Sequence, residues 1–154
     1  MKTPELNTLE LAKDIIYLCR KNKYIVDNTK VQKLLYLFVG FCLINDVIEI
    51  YDLNDKPKLW PFGPVFPKIY KNYDKITKEY EQDAVKSLKN EKSIKILEQT
   101  VKKWGKVASN KLSAWSHLPG SPWDILVKIG VKWNTEIPLD DIKTYFKNNV
   151  ENII

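Results

Sequence analysis

Apolar positions recur along most of this chain at intervals of three and four residues, the spacing of one face of an α-helix. Leu6, Leu9, Ala12, Ile15, Ile16 and Cys19 form one such stripe. They predict a first helix from about Pro4 to Asn22, with Thr3 as its cap and Pro4 at its first position, where a missing N–H is harmless. A second helix is predicted over about residues 29–45. Thr29-Lys-Val-Gln32 reads as a capping box, and Val31, Leu34, Leu35, Leu37, Phe38, Val39, Phe41, Cys42, Leu43 and Ile44 leave the helix apolar nearly all round. Such a helix must be covered on most sides, so it is expected at the centre of the fold. Gly40 costs about 1 kcal/mol against Ala in a helix, which points to the close approach of a neighbouring helix. Lys33 and Tyr36 are polar interruptions expected to reach the surface.

The pattern changes after Ile44. Val47, Ile48, Ile50 and Tyr51 predict a short strand, Asp52 to Pro57 a turn, and Leu59 and Trp60 a returning strand, giving a β-hairpin near 47–61. Trp60-Pro-Phe-Gly-Pro-Val-Phe-Pro67 follows. Its prolines at 61, 64 and 67 exclude a regular helix and stiffen the segment. Pro67 is placed to open a third helix with Ile69, Tyr70, Tyr73 and Ile76 on one face. Residues 77–92 are polar, a loop or a short helix around Ala84 to Leu88. Ser93 is the expected cap of a long helix carrying Ile94, Leu97, Val101 and Trp104. Further helices are predicted over Asn110–Leu118, over Trp123–Val127 after a Ser121 cap and Pro122, and over Asp140–Asn148 with Ile142, Tyr145 and Phe146 inward. Thr135 to Leu139 reads as a brief strand or a cap. The expected fold is mainly α, formally α+β with a small β element: a compact multi-helix single domain over 1–154 around a central apolar helix.

Composition agrees with a globular chain. The 154 residues are enough to bury roughly 70% of the unfolded chain's surface. With 44% hydrophobic and 29% charged residues, disorder and low complexity are excluded. The longest apolar run, Leu34 to Ile44, is far short of the about 20 residues a membrane-spanning helix needs. The first residues lack an apolar signal core, so a cytoplasmic location is expected. Cys19 and Cys42 both lie in apolar helical patterns and are expected as buried free thiols.

The net charge of +6 narrows the partners less than it suggests. Of 25 basic residues only Arg20 is Arg. Lys, Asn and Ile share A/T-rich codons, so genome bias accounts for much of the basicity. Nucleic-acid readers lean on Arg for bidentate contacts. The excess is confined to residues 68–106, with 11 Lys against 6 acids. Weak, non-specific nucleic-acid binding there is the expectation, and a Lys-rich nucleic-acid-binding or mobile-element regulatory protein is the alternative function.

Catalytic chemistry is poorly supplied. One His and two separated Cys give no metal-ligand spacing, and the five glycines form no phosphate-cradling loop. Asp52 and Asp55 beside Lys56 and Lys58 resemble a two-carboxylate site, but a solvated turn explains the same letters. Asp140 and Asp141 suit the first turn of a helix. His117 lies in Trp115-Ser-His-Leu-Pro-Gly-Ser-Pro-Trp123, read as a rigid corner with an imidazole N–H bonded to backbone. The five Trp are expected mostly in the core, and any exposed one is a candidate interface anchor.

Three separated segments then agree with one family. Val31-Gln-Lys-Leu-Leu-Tyr-Leu37, Leu59-Trp-Pro-Phe-Gly-Pro-Val-Phe-Pro-Lys-Ile-Tyr70, and Leu112-Ser-Ala-Trp-Ser-His117 with Pro122-Trp123 resemble, in order and spacing, the Panacea domain, also called the SocA-like antitoxin domain. The last helix, with Ile142, Tyr145 and Phe146, is similar too. The resemblance implies a mostly helical domain that acts as the antitoxin of a two-gene, type II-like system, often carried by phages and mobile elements. It implies direct binding of a cognate toxin and brings no catalytic residues with it, and no metal or cofactor is expected from the residues themselves. A protease or chaperone is a further candidate partner, because one relative delivers its toxin to a protease. The motif residues offered as partner-binding are Gln32, Lys33, Tyr36, Trp60, Phe62, Gly63, Pro64, Val65, Pro67, Lys68, Tyr70, Lys71, His117, Pro122 and Trp123.

Overall fold

The structure is a computed structural model and describes residues 5–78 and 81–153. Helix α1 (Thr8–Lys21) begins later than its stripe suggests. Asn7 caps it, its Oδ1 accepting from Leu9 N and Glu10 N. The expected cap and first-turn positions, Thr3 and Pro4, lie outside the described residues. Leu11, Ala12, Ile15, Ile16 and Cys19 face the core.

Helix α2 (Asn28–Ile44) is buried along almost its whole length and packs against every other α-helix but one. Asp27, not Thr29, caps it by accepting from Lys30 N at 2.7 Å. Gln32 makes no capping box, because its amide is engaged elsewhere, as shown below. Lys33 and Tyr36 do not reach the surface: they are 2% and 1% exposed. Lys30 is buried as well, its Nζ donating to the carbonyls of Gly105 and Val107, where a helix C-terminus favours a cation. Gly40 has the expected reason. A Cβ there would lie 2.3 Å from the Phe146 ring.

Residues 48–52 are a 3-10 helix, not a strand. Val47, Ile50 and Leu53 are buried, a spacing of three that suits 3-10 geometry. The hairpin lies later than expected, as β1 (Lys58–Trp60) antiparallel to β2 (Gly63–Val65), with Trp60 opposite Gly63. On its other side β1 bonds to residues 134–137, through Leu59 N to Thr135 O and Asn134 N to Leu59 O. Asp55 is buried and no solvated turn residue; its Oδ2 accepts from Lys68 N at the start of α3 (Pro67–Lys78).

Residues 81–90 form a loop. Asp14, buried on α1, fastens it by accepting from Gln82 Nε2, Lys86 N and Ser87 N and Oγ. Helix α4 (Glu91–Trp104) is capped by Asn90 rather than Ser93, which sits inside the first turn. Helices α5 (Ser109–Ser116), α6 (Pro122–Lys128, capped by Ser121 as expected) and α7 (Leu139–Asn149) complete the order. Tyr36, Trp115 and Phe146 meet edge to face at 5.9–6.0 Å, so α2, α5 and α7 share one aromatic core. Tyr145 is half-buried, not fully inward. Cys19 and Cys42 are buried free thiols. Among the described residues no helix is long and apolar enough to cross a membrane.

A candidate partner-binding face around the hairpin

The three motif segments meet at the hairpin. Gln32 pairs with both backbone groups of Phe66: Phe66 N donates to its Oε1 at 2.7 Å, and its Nε2 donates to Phe66 O at 3.1 Å. One residue on, Lys33 Nζ donates to Pro64 O at 2.8 Å. Two side chains of α2 therefore fix the backbone of the proline-rich segment. Burial alone pulls the Lys33 ammonium down from its ordinary 10.5 to about 8.

Gly63 closes the arrangement. Its φ of +116° lies where L side chains are strained. A Cβ there would also stand 2.8 Å from Ser116 Oγ, 3.0 Å from Lys33 Nζ and 3.6 Å from His117 Nδ1. Ser116 and His117 belong to the third motif, which explains why the three segments occur together. These polar groups serve packing: Ser116 Oγ donates to Ser113 O within its own helix. His117 Nδ1 is buried without a hydrogen-bond partner, so it does not supply the backbone bond expected of the imidazole. Its ring rests 5.4 Å from Trp123, whose Nε1 donates to Trp60 O at 2.7 Å. Tyr36 Oη is also buried and unpartnered.

The outer side of the hairpin is different. Phe62, at its tip, is 81% exposed, Tyr70 on α3 57% and Trp133 53%. Trp60 is half-buried; its ring meets Tyr70 edge to face at 5.1 Å, and its Nε1 donates to Asn134 Oδ1 at 3.0 Å. Trp123 lies 6.4 Å from Trp133. Exposed aromatic residues thus line a stiff surface, with Lys68 and Lys71 exposed beside it.

The residues singled out from the sequence divide accordingly. Gln32, Lys33, Tyr36, Gly63, Pro64, Pro67 and Pro122 are buried; Trp60, Val65, His117 and Trp123 are half-buried; Phe62, Lys68, Tyr70 and Lys71 are exposed. Trp133, one of the five Trp expected mostly in the core, is more than half exposed and so falls among the candidate anchors; sequence reasoning missed Asn134, whose positive φ of 71° sets the turn that supports Trp60. The turn signal Trp133-Asn134-Thr135 was the available clue. Among the described residues no group of three or more His, Cys, Asp or Glu is placed to hold a metal.

Comparison with known proteins agrees with this picture. The family model "Antitoxin SocA-like, Panacea domain" matches residues 31–124, the stretch that contains all but the first turn of α2, the hairpin and the His117–Trp123 corner. Antitoxin SocA of Caulobacter vibrioides (strain NA1000 / CB15N) is 25% identical over 114 residues, covering 66% of this chain and 60% of that protein. The chain thus spans about three-fifths of that relative's length. No solved structure matches it significantly. The chain belongs to the SocA-like antitoxin family, the Panacea domain proteins.

Proposed function

We propose that this chain is the antitoxin of a type II-like toxin–antitoxin system, and that it neutralises a co-encoded toxin by binding it directly rather than by catalysis. Family membership supports the class of function. The observation that carries the mode is the hairpin: Phe62 is 81% exposed on a segment whose backbone is tied down by Gln32 and Lys33. A pre-ordered apolar anchor loses little conformational entropy on docking, and exposed aromatic residues of this kind carry much of the energy at protein interfaces.

The test is expression of the reading frame adjacent to this gene, alone and together with this chain. The expected result is growth arrest alone, recovery with the chain, and co-purification of the two proteins. A neighbouring product that is harmless alone, or that is neutralised without forming a complex, contradicts the reading.

A further inference from the structure

Beside the hairpin lies a groove of about 390 Å³, lined by Trp60, Pro61, Pro67 and Trp133 together with Lys58 and Lys71. A cavity of about 150 Å³ already takes a benzene ring, so this one has room for an aromatic or aliphatic side chain. The groove is held in shape by the Trp60–Asn134 hydrogen bond and the left-handed backbone at Asn134.

The backbone around it is already in use. Pro64 has no N–H, and its carbonyl accepts from Lys33. Both backbone groups of Phe66 are taken by Gln32. The far edge of β1 is bonded to residues 134–137. A partner cannot extend this sheet by adding a strand, so it must be read through side chains. Those on offer are aromatic and cationic. Among the described residues Lys58, Lys68, Lys71 and Lys132 have no carboxylate within ion-pair distance. Even Glu136, opposite Lys58 in the β-bridge, forms no ion pair with it.

We propose that the groove takes an extended acidic segment of a partner protein, with one apolar side chain lodged by Trp60 and Trp133 and flanking carboxylates on the surrounding lysines. This rests on the antitoxin reading and specifies its partner. A protein fits better than a nucleic acid. The cations around the groove are all lysines, point charges without the planar fork that Arg brings to phosphates and base edges, and the groove offers one apolar slot rather than a row of stacking platforms.

Fluorescence anisotropy with the full chain tests this. The probes are a short peptide with a central Leu flanked by Asp and Glu, the same peptide with Lys for the acids, the same peptide with Gly for Leu, and a short oligo-dT. The acidic Leu peptide should bind most tightly. Its binding should weaken with salt and by about tenfold or more in Trp133→Ala and in Lys58→Glu/Lys71→Glu, with circular dichroism and melting unchanged. No binding of the acidic peptide, equal binding of the Lys or Gly peptide, oligo-dT binding as tightly, or indifference to the substitutions overturns the proposal. Self-association that Trp133→Ala abolishes, in the absence of peptide binding, assigns the groove to a second copy and overturns it too. If rescue by the wild-type chain stands while these results are negative, the groove proposal alone falls. If no adjacent product is neutralised, the antitoxin reading falls whatever the peptides do.

Discussion

Lys33 sits where an ammonium is costly. It is 2% exposed and donates to the Pro64 carbonyl, so burial favours its neutral form and its titration falls to about 8. Between that pH and the ordinary 10.5 the unfolded chain binds the extra proton. The contribution of Lys33 to folding stability therefore rises with pH across this window, by up to about 3 kcal/mol, and is lost as pH falls through 8. The buried thiols of Cys19 and Cys42, both pushed up by burial, act in the opposite sense over the alkaline range. Comparison with Lys33→Met cancels them. Urea unfolding of both proteins at pH 7 and pH 10 should show the wild type gaining on the variant at the higher pH. An equal difference at both values contradicts the assignment.

At the scale of elements, α2 does two jobs, forming the core with its apolar residues and the hairpin's anchor with Gln32 and Lys33. Gln32→Ala leaves a buried N–H and a buried C=O of Phe66 without partners, at about 1–3 kcal/mol each. The unfolding free energy should drop by about 2–6 kcal/mol, read by denaturant titration. A loss below about 1 kcal/mol would mean the hairpin is held mainly by something else. The helices were legible in the sequence because their stripes repeat over several turns. Their starts were less so: Thr29 and Ser93 are chemically good caps, but Asp27 and Asn90 reach the free N–H groups, and Gln32 found a better partner in Phe66. The run Val47 to Tyr51 has the composition of a strand, yet buries every third residue and so winds as a 3-10 turn. Lys33 and Tyr36 were misplaced because the nearest acceptor for Lys33 is a carbonyl some 30 residues on in the chain, which no local pattern reveals.

For the whole molecule, the candidate site was legible as a segment but not as a surface. The proline spacing marks 60–67 as stiff. It does not say that Gly63, Pro64 and Pro67 face inward while Phe62 and Tyr70 face out, nor that Trp133 joins them from the far end of the chain. A family motif mixes residues that build the fold with residues free to touch a partner, and only burial separates the two. The most direct measurement follows from that separation: co-purification of the adjacent gene's product with wild-type chain and with Phe62→Ala/Trp133→Ala. Both positions are exposed, so each change should alter stability by only about 0.5 kcal/mol. The account predicts a double variant that melts with the wild type yet neither retains the toxin nor restores growth. A folded double variant that binds and rescues as well as wild type would contradict it.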